Sequence, residues 1–148
     1  MSDAPATTST TRRRAAVGLT RFIGGTLLFL ATVGLLRTGI GDFGSGSTKD
    51  LAGLTVHPLT ALVWLALGLV GVAMSVDPAR ARLFLIGAGG LLVPWGLVAL
   101  LTGGEVSTFF TDDAPVVALH LALGVAALLV AIAPAPAFLE RAFARDVP

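Results

Sequence analysis

The sequence predicts an all-α integral membrane protein, a four-helix bundle that crosses the bilayer four times. Three observations predict it. The 148 residues are 55% hydrophobic and only 13% charged, about half the charge of an ordinary soluble domain. A surface this poor in charge suits lipid, which accepts apolar side chains on the outside as well as the inside. The mean hydropathy of +0.88 agrees. The apolar residues fall into four stretches, and the basic residues gather at one set of their ends.

Residues 1–14 are polar, rich in Ser, Thr, Ala and Pro, and end in Arg12, Arg13 and Arg14. Such a composition predicts a disordered tail whose arginines lie against anionic headgroups. The first span is expected over residues 15–36. Its uninterrupted centre, Phe22 to Leu36, rises only about 22 Å as helix, short of the roughly 30 Å hydrocarbon core. Arg21 and Arg37 can snorkel outward to complete the crossing. No small-residue cleavage site follows, so the segment reads as an uncleaved span rather than a signal peptide.

Residues 37–57 are rich in Gly and Ser and show neither helical nor strand periodicity. The second span, residues 59–76, follows His57-Pro58, with proline suited to a first helical turn. Asp77-Pro78, Arg80 and Arg82 make a tight connection to the third span, residues 83–101. There Gly87, Gly89 and Gly90 predict close helix approach, and Pro94, followed by Trp95 and Gly96, predicts a kink or a break. A second loop carries Glu105, Asp112 and Asp113 with no basic residue. The fourth span is expected over residues 114–133, and residues 137–148 read as an amphipathic tail at the interface.

Charge sets the orientation. With the amino terminus inside, Arg12, Arg13, Arg14, Arg21, Arg80, Arg82, Arg141 and Arg145 lie inside, and only Arg37 and Lys49 outside. The positive-inside rule therefore places both termini in the cytoplasm of a plasma membrane.

Leu65-Ala66-Leu67-Gly68 recurs as Leu121-Ala122-Leu123-Gly124, which aligns Trp64 with His120 and pairs Gly68 with Gly124. A looser likeness sets Phe22 to Leu28 against Leu85 to Leu92. These suggest two copies of one helical hairpin in parallel. Spans built from Leu, Ala and Gly also produce such likeness by composition alone.

His120 is the ionisable residue well inside an apolar span, and such a residue is a functional candidate by default. Asp113 lies two helical turns earlier, about 10 Å, which predicts a shared face along which a proton or cation could pass. The alternative is a neutral His120 that hydrogen-bonds a neighbouring helix and fixes packing. His57 and His120 could ligate haem only at matching heights, and the Pro58 boundary keeps His57 near the loop. A metal would need more ligands, such as an outer group of Glu105, Asp112 and Asp113. The expected set is therefore no cofactor and no metal, with His120, Asp113 and His57 as candidate binding residues. There is no cysteine, no nucleophile–base pair and no phosphate loop. Gly87-Ala88-Gly89-Gly90 follows no strand and is not a dinucleotide fingerprint. Three tail arginines are too few for nucleic-acid binding.

Leu119-His120-Leu121-Ala122-Leu123-Gly124, together with Arg82 to Gly90, resembles an uncharacterised family of small actinobacterial membrane proteins, a domain of unknown function, over about residues 51–130. The resemblance implies four spans and a bacterial plasma membrane, and carries no activity. In that family histidine often stands where this chain has Trp64, and the acidic residue lies one turn before the histidine rather than seven residues before it. The functional expectation is a non-catalytic accessory or scaffold subunit that contacts the bilayer and other membrane proteins or itself. A small-solute or proton-coupled transporter using His120 is the alternative.

Overall fold

The computed structural model describes residues 5–39, 49–51, 53–102 and 113–132. The expected interfacial tail (137–148), Glu105 and Asp112 lie outside the described residues. Four helices and one small hairpin follow in order: α1 (Pro5–Thr38), β1 (Lys49–Leu51), β2 (Leu54–Val56), α2 (Pro58–Met74), α3 (Pro78–Thr102) and α4 (Ala114–Ile132). The expected all-α bundle is present. Thr10–Thr38, Pro78–Thr102 and Ala114–Ile132 are each long and apolar enough to cross a membrane. α2 has 17 residues and rises about 25 Å.

Helix α1 corrects one expectation. It begins at Pro5, inside the segment read as a disordered tail. The three arginines are good helix formers while Thr7 to Thr11 are not, and it is the apolar run that follows that gives this first part a helix to extend. The 34 residues rise about 50 Å, well beyond a hydrocarbon core. Gly39 ends the helix at φ +76°, its N–H donating to the Leu35 carbonyl at 2.9 Å. A left-handed residue just past the last turn is the usual glycine stop.

The loop expected to be irregular contains an antiparallel hairpin, with Asp50 opposite Thr55 and Leu51 opposite Leu54. Gly53, at φ +89°, makes its turn. Strands of three residues are too short for an alternating pattern to stand out in the sequence. The hairpin lies against the carboxyl end of α1 and the start of α4, and buried Val56 sits beside Gly34.

Helix boundaries follow local chemistry. His57 caps α2, its Nδ1 accepting the Leu59 N–H at 3.2 Å, with Pro58 in the first turn. Asp77 caps α3, its Oδ1 accepting from the N–H of Ala79 at 2.6 Å and of Arg80 at 3.3 Å. This cap starts α3 at Pro78, five residues before the expected span, so Arg80 and Arg82 belong to the helix and not to a connection. α3 runs unbroken through Pro94.

α1 packs mainly on α2, and α3 mainly on α4, with α1 also reaching α3 and α4. Ile23, Leu27, Ala31, Trp64, Leu85, Leu92 and Ala127 form the centre of one core. Large apolar side chains cover the outside: Phe29 is 68% exposed, Leu129 59% and Leu101 82%. Contiguous apolar surface of this kind marks a lipid or partner face.

The hairpins repeat each other's contacts. A Cβ at Gly24 would meet the Gly68 carbonyl at 3.2 Å, and one at Gly89 the Gly124 carbonyl at 2.9 Å. A Cβ at Gly68 would meet the Leu28 nitrogen at 2.7 Å, and one at Gly124 the Val93 nitrogen at 3.0 Å. Gly24 thus corresponds to Gly89. The register of α2 against α4 is as the sequence set it. Gly87 and Gly90 correct a further expectation: a Cβ at either would meet nothing within 4 Å. Successive helical residues are turned by 100°, so Gly89 can face α4 while Gly87 and Gly90 face outward.

Candidate functional site

The interior of the bundle holds a polar cluster built by three helices. His120 on α4 is 2% exposed, and Trp64 on α2 is fully buried. The Trp64 indole Nε1–H donates to His120 Nε2 at 2.8 Å, with the rings edge-on at 71° and their centroids 5.7 Å apart. Trp95 on α3 is half-buried and tilted 43° to the imidazole, also at 5.7 Å. Gly96 admits this arrangement: a Cβ there would lie 2.8 Å from Leu121 Cγ and 3.4 Å from His120 Cβ.

The hydrogen bond fixes the chemistry of the histidine. Indole nitrogen is a donor only, so Nε2 must accept, and the ring is the neutral form protonated on Nδ1. An imidazole held this way has spent its basic lone pair on a neighbouring helix. Trp64 and His120 are also the two residues that the repeat sets in corresponding positions. Corresponding positions touch each other only on the axis that relates the two copies. The contact is what a two-fold relation between the hairpins would require.

One turn from Trp64, Thr60 is 2% exposed and its Oγ1 has no hydrogen-bond partner among the described residues. A buried hydroxyl left so is uncommon and costly.

Asp113 does not join His120. It stands just before α4, and its Oδ2 accepts the Thr55 N–H at 2.6 Å, which ties the β-hairpin to the second helical pair. Its main-chain carbonyl accepts from Val117 at 3.0 Å. Because the carboxylate turns toward the strand, the expected acid–histidine face is not formed. His57 is buried, but its Nδ1 is engaged in capping α2, so it too belongs to a boundary. Among the described residues, no group of three or more His, Cys, Asp or Glu side chains could hold a metal.

At the opposite end, Arg82 Nε donates to the Ala131 carbonyl at 2.9 Å, and Arg12 Nη2 reaches the same oxygen at 3.4 Å. Thr20 Oγ1 donates to the Ala81 carbonyl at 3.2 Å. The two arginine bonds satisfy a carbonyl in the last turn of α4, which has no partner within its own helix, and the Thr20 bond ties α1 to the first turn of α3. Sequence reasoning missed both this cluster and the role of Trp64. The alignment of Trp64 with His120 was the available signal.

Residues 14–133 match a domain of unknown function, DUF4383. The chain belongs to this family. The DUF4383 match takes in the whole Trp64–Trp95–His120 cluster and the Asp113–Thr55 tie, and it extends the partial likeness of residues 51–130 through most of α1. No curated protein and no solved structure is similar to this DUF4383 chain.

Proposed function

We propose that the protein is a non-catalytic accessory or scaffold subunit of a bacterial plasma-membrane complex, crossing the bilayer four times with both termini in the cytoplasm. The observation that carries this reading is the closed pairing of His120 with Trp64. The one polar side chain best placed to move a proton through the interior is used to join two helices. The buried residues within one turn of it on α4, Val116, Val117 and Leu123, are apolar. The outside is apolar too, which gives a partner helix or lipid a surface to cover. The orientation is supported by the placement of Arg12, Arg13, Arg14, Arg80 and Arg82 at one end of the bundle, opposite Arg37.

The test is purification of the full chain in a mild detergent, with identification of whatever accompanies it and the mass of the particle. Stoichiometric co-purification of another membrane protein is the expected result. A clean monomer whose reconstituted vesicles pass protons would overturn it. The transporter reading draws its support from Thr60, whose unpartnered hydroxyl lies one turn from Trp64. On that reading His120→Ala abolishes flux; on the scaffold reading there is no flux to lose.

A further inference from the structure

The arginine end of the bundle contains a feature that the packing of the helices does not use. A cavity of about 500 Å³ opens there between the first turns of α1, the start of α3 and the end of α4, lined by Arg12, Arg13, Ala16, Asp77, Pro78, Ala79, Arg82 and Val130. Its size falls in the range of small-molecule sites. Among the described residues three arginines and a single carboxylate line it, and Asp77 Oδ1 accepts two backbone N–H groups of α3. Arg82 gives its Nε to the Ala131 carbonyl, which steadies the side chain and leaves its outer nitrogens to donate. Arg12 is anchored on the same oxygen through Nη2. Arg13 is exposed. Ala16, Pro78, Ala79 and Val130 make the rest of the wall apolar or small.

We propose that this cavity binds the phosphate of an anionic phospholipid headgroup. Guanidinium groups donate in a fork that matches phosphate oxygens, and two of the three here are held in place by a helix-end carbonyl. The apolar wall beside them suits the glycerol and first acyl carbons that follow a headgroup into the bilayer. The position fits as well. The cavity lies where the apolar stretches of α1, α3 and α4 reach their charged ends, which is where a headgroup sits if these helices cross the membrane. Basic pockets between transmembrane helices are a common form of lipid recognition. The proposal rests on membrane insertion and not on the scaffold reading.

The experiment is native mass spectrometry of the full chain in nonionic detergent, titrated with phosphatidylglycerol or with phosphatidylcholine of the same acyl chains. Retained phosphatidylglycerol adducts, with little phosphatidylcholine, are expected. Arg13→Gln and Arg82→Gln should each weaken phosphatidylglycerol binding by about fivefold, whereas Arg37→Gln at the other end of α1 should not. The Arg13 side chain makes no hydrogen bond or ion pair among the described residues, so its variant tests the site without disturbing the bundle, and circular dichroism checks the fold of all three. Equal retention of the two lipids, or equal loss in Arg37→Gln, would overturn the proposal. Displacement of the lipid by millimolar inorganic phosphate, with the same arginine dependence, would reassign the site to soluble phosphate. Carbonate extraction of the same variants reports membrane insertion separately, so failure of that premise is distinguishable from failure of the site.

Discussion

The two helical hairpins are built on one plan, and they differ in what fills the closest approach. In the first, Gly24 and Gly68 lie against main chain: a Cβ at Gly68 would be 2.7 Å from the Leu28 nitrogen and 2.9 Å from its Cα. In the second, the nearest atoms are mostly the ends of side chains, Leu128 Cγ at Gly89 and Leu121 Cγ at Gly96. Main chain cannot turn aside, whereas a leucine end can change rotamer. The first hairpin is therefore the rigid half and the second the compliant one. The polar ties agree, since the β-hairpin leads directly into α2 and caps the first pair, and reaches the second through one carboxylate.

The largest expected effect tests that difference directly. Gly68→Ala should destabilise the protein by about 3 kcal/mol, as overpacking against fixed atoms does, and Gly96→Ala by about 1 kcal/mol or less. Thermal unfolding in detergent, followed by circular dichroism, measures both. Equal losses would mean that the halves are equally rigid. Next is the axis. Trp64→Phe removes the donor and leaves a buried acceptor unpaired, a cost of about 1–3 kcal/mol. The double variant Trp64→Phe/His120→Leu should lose less than the sum of the two single changes, because the polar group is gone along with its partner. Strict additivity would show that the bond contributes nothing.

Smaller effects separate the ends from the middle. Asp113→Ala should cost about 1 kcal/mol and accelerate hydrogen exchange at the Thr55 amide, leaving the helix interiors unchanged. Exchange that rises evenly across the molecule would make the tie part of the global fold. Thr60→Val keeps the shape and removes an unpartnered hydroxyl, so it should be neutral or stabilising by up to about 1 kcal/mol. The smallest effect is at the outward glycines. Gly87→Ala and Gly90→Ala should gain a few tenths of a kcal/mol from helix propensity. A loss at either, seen only in the assembled complex, would place a partner helix against that face.

The sequence made the fold class and all four helices legible because lipid solvation leaves long apolar stretches. It hid the start of α3, since tracking apolar residues alone passed over Asp77-Pro78, a cap followed by a first-turn proline. It hid the first turns of α1 because a polar composition was read as disorder where the helix of the following span extends back through it. His120 was visible as a lone ionisable group. Its partner was not, because a contact across 56 residues leaves no local pattern. The repeat set Trp64 beside His120 in an alignment, and only the packing shows that alignment partners here are also neighbours.

That contact bears on why both hairpins reside in one chain. Two identical hairpins meeting on a two-fold axis must present the same side chain from each side. Two tryptophans would bring two donors and no acceptor. A single polypeptide is free to let its halves diverge at the shared centre, so that one supplies the proton and the other the lone pair. The covalent join between α2 and α3 thereby permits a complete bond in the driest part of the molecule that a dimer of tryptophan-bearing halves could not make.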